Sequence, residues 1–409
     1  MDLSRTLVVI LAGGKGQRLE PLTRDRAKPA VPFGGIYRII DFTLSNCLNS
    51  GLHKLLVLTQ YRSRSLNSHL RDAWQINFNP ALGEFLESLP PQHRVGESWY
   101  SGTADAVYQN VFAIEEEHPE AVLILAGDHI YKMDYRHMLR FHEERGADLT
   151  VGAVEVPRAE AGAFGIVHVD ATARVTGFLE KPKDPPPIPG SPGLCLASMG
   201  IYVFKPQVMA RVLEEDARDT SSSHDFGKDI IPKMFASHPV YAFSFVDENK
   251  KEAKYWRDVG TIDAYFDANM DLVSVSPLLN LYDHGWPIRT SPTTAPPPKF
   301  VFAQEHAGGR VGVALDSLVS PGCILSGGRI QNTILSPSVR INSYAVVQDS
   351  ILFEDVNVGR HAKIRRAIID KDVQIPEGME IGYNHDEDRQ RGFTISEGGL
   401  VVISKRTVL

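Results

Sequence analysis

Beyond residue 300 aliphatic residues recur in three columns, and nothing else in the chain constrains its fold so narrowly. The columns are Leu318, Leu335, Leu352 and Ile369; Ile324, Ile341, Val358 and Ile375; and Ile330, Val347, Ile364 and Ile381. Each repeats every 17 residues, with offsets of 6, 6 and 5 between columns. One inward aliphatic per side of a three-sided coil is the pattern of a hexapeptide-repeat, parallel β-helix. A β-sandwich of short alternating strands would not hold such a register, because its hairpins and crossovers vary in length.

The first two thirds follow another rhythm. Strands are predicted over Thr6–Leu11, Lys54–Thr59, Ala121–Ala126, Leu149–Val156, Gly200–Phe204 and Val240–Val246. Helices are predicted over Thr103–Glu117, Tyr135–Arg145 and Phe226–Ala236. The alternation implies an α/β domain with a mostly parallel, covered sheet, whose ligands bind at the carboxyl ends of the strands. The Pro-rich run Asp184–Pro192 reads as a surface loop, and Ser291–Pro298 as a linker. The expected organisation is 1–275, a linker over 276–300, and 301–409.

Composition removes several classes. Lys and Arg number 43 against 50 Asp and Glu, a net charge of −7, which argues against a nucleic-acid partner. Cys47, Cys195 and Cys323 form no CxxC pair, so neither a disulfide framework nor a thiolate zinc site is expected, and a reducing cytoplasm fits best. The apolar run Leu7–Ala12 is too short for a signal-peptide core or a membrane span, so neither export nor membrane insertion is expected. The His residues make no HExxH spacing, and there is no GxSxG elbow.

Three stretches carry chemistry. The first strand runs into a loop containing Gly13, Gly14 and Gly16, which can bring backbone N–H groups against a triphosphate. It is neither a Walker loop nor GxGxxG. Arg18 and Lys28 add two cations, with Pro29 and Pro32 stiffening the backbone around Lys28. Ala121–Asp128 is a buried strand ending in a carboxylate, where a metal ion can bridge to phosphate; Asp258 is the second candidate ligand. A helix N-cap is the plainer alternative for Asp128. Lys181 follows a strand and precedes Pro182, so it reads either as a phosphate-directed point charge or as surface solvation. Arg360, Lys363, Arg365 and Arg366 read either as a solvated face or as a site for a small anionic effector.

The stretches LAGGKGQRLEPLTRDRAKPAVPFGG, WYSGTADAVYQN, LAGDHIYKMDY, FGIVHV, FLEKP, ASMGIYVF, SSSHDFGKDIIP and YWRDVGTIDAY together resemble the bacterial glucose-1-phosphate adenylyltransferases. The resemblance runs from Leu7 to about Ser404; the glycine loop and FLEKP are shared with many sugar nucleotidylyltransferases, and WYSGTADAVYQN and HDFGKDIIP are more specific. It implies a Rossmann-like nucleotidyltransferase domain followed by a left-handed β-helix. The implied reaction takes ATP and α-D-glucose 1-phosphate to ADP-glucose and pyrophosphate, with magnesium, in a homotetramer under allosteric control. By resemblance Asp128 and Asp258 hold magnesium, Arg18 and Lys28 meet the ATP phosphates, and Lys181 meets the sugar phosphate. Tyr100, Gly165, Glu180 and Ser198 match the family's sugar-nucleotide contacts, and Gln60 and Gly102 lie near the base.

At Asp25 several family members carry a basic residue that helps bind a sugar-bisphosphate activator, so the charge is reversed here. Arg26 and Arg38 are retained. With Arg360, Arg365, Arg389 and Arg391 they are expected to form an anion site between the domains. Two other functions are compatible with parts of this pattern: transfer of another nucleotide or to another sugar phosphate, and a non-catalytic regulatory homologue.

Overall fold

A computed structural model of the chain describes residues 2–91, 99–251, 254–304, 306 and 308–409. The strand Thr6–Leu11 lies at the centre of a nine-stranded sheet, parallel to Lys54–Leu58 on one side and to Ala121–Ala126 on the other, with Phe85–Leu89 extending the parallel half. The long strand Leu194–Phe204 then runs antiparallel to Ala121–Ala126 and to Leu149–Pro157, and the latter pairs in parallel with Val240–Ser244. The hairpin Gly165–Val169 and Val175–Glu180 completes that edge.

Alternation along these strands sends Val8, Ile10, Leu123 and Leu125 into one core and Leu7, Val9, Val122 and Ile124 into another, on opposite faces of the sheet. Burial on both faces is what continuous aliphatic strands require. Among the described residues no helix is long and apolar enough to cross a membrane.

Departures from the sequence pattern have local causes. The strand expected from Gly200 begins at Leu194, because its register shifts between Ser198 and Ile201, where Gly200 adopts φ +67°. Such a bulge hides the two-residue period and re-aims the side chains beside it. The helix expected over Thr103–Glu117 is two helices, Thr103–Tyr108 and Val111–Glu116. At the break Asn110 donates its side-chain amide to Ala106 O, in competition with the helix's own ladder. Phe226–Ile230 is a wide π turn ahead of the short α-helix Ile231–Met234.

The C-terminal part is a parallel β-helix. Leu335, Leu352 and Ile369 stack in register, as do Ile341, Val358 and Ile375, and Ile330, Val347, Ile364 and Ile381. All ten are at most 3% exposed. The first coil differs by one position. Val319 stacks on Leu335 and Leu325 on Ile341, whereas Leu318 and Ile324, the expected column members, are half-buried. Spacings of 16 residues here, in place of 17, slip the register by one, which turns a strand residue to the other face.

The corners repeat as strictly as the columns. Asn332, Asp349 and Arg366 have φ between 45° and 48°, and Ser338, Asp355 and Asp372 between 61° and 63°.

A fourth aliphatic column, Ile334, Ile351 and Ile368, points outward from the coil and joins a core cluster with Leu19, Phe33, Phe42 and Tyr265 of the α/β domain. The two parts of the chain therefore share a hydrophobic interface. Ile351, 1% exposed, should cost about 2–5 kcal/mol when truncated to Ala. Urea unfolding of Ile351→Ala is expected to show a clearly lowered midpoint, and Ile324→Ala a smaller change.

Candidate active site

Two cavities open at the carboxyl ends of the sheet strands and adjoin at Arg18, Thr103 and Asp225, which line both. The larger, about 560 Å³, is walled by the glycine loop, Lys28, Gln60, Tyr100, Gly102 and Asp128. The smaller, about 230 Å³, is walled by Gly165, Glu180, Lys181, Ser198 and Asp258. Every residue that the sequence assigns to substrate or metal thus lies in this double cleft, with Tyr100, expected among the sugar contacts, on the larger side.

The loop is shaped to hold an anion. Gly16 has φ +62°, and a Cβ there would stand 3.0 Å from Thr23 Cγ2 and 3.2 Å from Lys28 Cβ, so both conformation and space require glycine. The backbone N–H groups of Gly13 to Gly16 have no hydrogen-bond partner among the described residues, although Ala12 N–H before them donates to Leu58 O. Gly102 begins the Thr103–Tyr108 helix, and a Cβ there would stand 2.2 Å from His224 O, so this wall closes only around glycine. Gln60 Nε2 is buried without a partner among the described residues, a donor that a nucleotide base can satisfy.

Asp128 and Asp258 meet through backbone pairing. His129–Tyr131 and Trp256–Asp258 form a two-stranded antiparallel ribbon in which Asp258 faces His129. The ligating atoms of Asp128, His129 and Asp258 consequently lie within 4.8 Å of one another. Two carboxylates at this separation suit a hard divalent cation, for which oxygen donors are preferred. Asp128 caps no helix; it follows the sheet strand and precedes the ribbon.

Lys28, 8% exposed, donates to Asp128 Oδ2 at 2.8 Å and to Asp258 Oδ1 at 3.1 Å. Burial works against the charge on both Lys28 and Asp128, and their attraction outweighs it. The ammonium is held above the ordinary lysine range, while Lys28 and His129 hold Asp128 down to about 2. A Cβ on Gly260 would lie 3.1 Å from Arg18 Nη2 and from both Asp258 carboxylate oxygens, which places the Arg18 guanidinium beside this cluster.

In the smaller cavity Lys181 Nζ lies 3.0 Å from Glu180 Oε1, and Lys181 takes φ +46° immediately before Pro182. A long side chain in the left-handed region is costly, and such strain collects at ligand sites. Ser198 is carried by the bulge. His129 stacks edge-on against Trp256 at 5.0 Å, and both line this cavity.

Sequence reasoning missed His129, which has no ligand spacing within one element, and Asp225. Asp225 accepts from Thr103 Oγ1 at 3.0 Å and from Gly227 N–H at 2.9 Å; a carboxylate ahead of a helix reads only as a cap.

The arginines expected at one effector site do not converge. Arg26 is the clearest departure: its guanidinium is buried and donates to Asp370 Oδ1 at 2.8 Å, which neutralises it. Arg38 donates to Ser65 and lines a separate cavity of about 190 Å³ with His69, Glu354 and Lys371. Arg360 is exposed, Arg365 lies over the Tyr383 ring, Arg389 pairs with Asp386, and Arg391 with Glu387 and Asp388. In the basic run, Lys363 pairs with Glu380 and Arg366 donates to Gly398 O.

Residues 7–275 match the nucleotidyl transferase family model, and residues 296–403 match a GlmU-like, C-terminal hexapeptide model. Curated proteins are similar over nearly the full length. A glucose-1-phosphate adenylyltransferase of Rhodopirellula baltica is 58% identical, over 98% of this chain and 90% of that protein. One of Koribacter versatilis is 57% identical, over 98% and 95%. The chain belongs to the glucose-1-phosphate adenylyltransferase family. Another member, glucose-1-phosphate adenylyltransferase 2 of Vibrio cholerae, is 54% identical over 97% of both chains. Within this family the expected nucleotidyltransferase domain and the left-handed β-helix are both accounted for.

Proposed function

We propose that the protein transfers the adenylyl group of ATP to α-D-glucose 1-phosphate, giving ADP-glucose and pyrophosphate for bacterial glycogen synthesis. The observation that carries this reading is the double cleft, with an anion-binding loop on one side and the FLEKP lysine on the other. Arg18 stands where the two adjoin. We further propose that residues 1–275 hold the chemistry, that 276–300 link, that 301–409 serve assembly and regulation, and that the enzyme works as a cytoplasmic homotetramer.

The chemistry asks little of a general base. A sugar phosphate has a second pKa near ~6 and is largely dianionic at neutral pH. Its phosphate oxygen attacks the α-phosphorus, the bond from that phosphorus to the bridging oxygen breaks, and pyrophosphate leaves with the electron pair. The protein's task is to align two anions and neutralise the charge that moves. The loop N–H groups and Lys28 bind the polyphosphate, Lys181 holds the sugar phosphate, and Arg18 faces the charge between them. Asp128 and Asp258 would hold magnesium, which when bound supplies neutralising charge for the phosphates.

Regulation is assigned to the junction of the two domains. The 190 Å³ cavity with Arg38 and Lys371 also contains Ser336, whose hydroxyl is buried without a partner among the described residues. Asp25 lines a separate concavity with Arg64, Lys405 and Arg406. Its carboxylate disfavours a doubly phosphorylated ligand more than a singly charged one.

Pyrophosphate release from ATP and glucose 1-phosphate, set against a panel of other nucleoside triphosphates, tests the activity; preference for another nucleotide overturns it. Asp128→Asn is expected to lower kcat at least ~10²-fold, as removal of a key electrostatic group does, with little change in the KM for glucose 1-phosphate. In Lys181→Gln the lost charged contact is expected to raise that KM by about tenfold or more and to leave the KM for ATP nearly unchanged. Fructose 6-phosphate or pyruvate is expected to activate better than fructose 1,6-bisphosphate, and Asp25→Lys to move the ranking toward the bisphosphate, less so at high salt.

A further inference from the structure

Lys28 occupies the place between Asp128 and Asp258 where a bridging divalent cation would sit. Its ammonium touches one oxygen of each carboxylate, at 2.8 and 3.1 Å. A metal ion bound to those oxygens at about 2.1 Å would lie within repulsive reach of the ammonium. The two cations compete for one pair of anions.

The backbone under Lys28 cannot relieve that competition. Lys28 starts a 3₁₀ turn that includes Pro29. Two residues earlier Arg26 is locked to Asp370, and Thr23 Oγ1 donates to Gly16 O at 2.8 Å. Only the side chain is free to swing. The cavity it faces is the one walled by the glycine loop, whose N–H groups already favour an anion.

We propose that Lys28 is a resident cation that keeps the two carboxylates paired in the nucleotide-free enzyme and is drawn off by the polyphosphate, so that metal binds appreciably only together with nucleotide. This inference rests on the active-site reading of Asp128 and Asp258. It offsets half of the charge on the two carboxylates and makes metal affinity conditional on the nucleotide.

The probe is Mn²⁺ alone, followed by its electron paramagnetic resonance signal on the nucleotide-free full-length enzyme. Lys28→Met, which keeps the aliphatic stem and removes the charge, is expected to bind Mn²⁺ at least tenfold more tightly than wild type. It should melt at lower temperature in chelator, since two carboxylates then face each other without the ammonium between them, and recover several degrees with Mn²⁺ where wild type gains little. Lys28→Gln carries the same comparison should the Met variant not fold. Wild type binding Mn²⁺ as tightly as the variant, with that binding lost in Asp128→Asn, would overturn the resident-cation role and leave the site assignment standing. Tighter binding in Lys28→Met that survives the added Asp128→Asn change would overturn the site assignment and this inference with it.

Discussion

Arg26 and Asp370 stand 344 positions apart and meet at 2.8 Å, with their side chains only 5% and 3% exposed. Desolvating two charges is costly, so such a pair contributes little net stability, but losing one partner strands the other and costs about 3–5 kcal/mol. Its consequence is therefore positional. It ties the β-helix to the segment that carries Lys28, and Thr23 ties that same segment to the glycine loop. The lysine between Asp128 and Asp258 thus sits in a segment held by contacts from both domains.

That arrangement takes Arg26 out of the set of open cations at the domain junction. Arg26 is a cation by sequence, and a cation near a domain junction suggests an anionic ligand. Sequence shows charge but not partners, and the partner here comes from the fourth coil of the β-helix. The cations that do face concavities at the junction are Arg38, Lys371, Arg64, Lys405 and Arg406.

Much of the architecture was legible because its signals are periodic. The strands Thr6–Leu11 and Ala121–Ala126 appear within the bounds their apolar runs set, and the inward columns hold from Ile330 onward. A repeat says that positions are equivalent, not which way they face. Ile334 and Leu335 are neighbours on one strand, so one turns in and the other out; that both are apolar, coil after coil, already implied a covered outer face. The double cleft was legible where chemistry sits in one segment, as in the glycine loop and at Lys181. His129 was not, because its partners come from two elements and no spacing within either records the meeting.

The placement of the site follows from a change in strand direction. From Phe85–Leu89 to Ala121–Ala126 the sheet is parallel, so its carboxyl ends and their loops gather on one edge, where the N–H groups of Gly13 to Gly16 stand without partners among the described residues. Leu194–Phe204 enters antiparallel, and its bulge at Gly200 brings Ser198 and Gly200 to the same edge from the opposite direction. The two cavities are the two sides of that reversal. Asp128 follows the last parallel strand, and the short ribbon that begins beside it brings Asp258 across from the C-terminal part of the domain. The carboxylate pair lies at the boundary because the topology changes there, and Lys28, reaching in from the segment held by the β-helix, meets both carboxylates at that point.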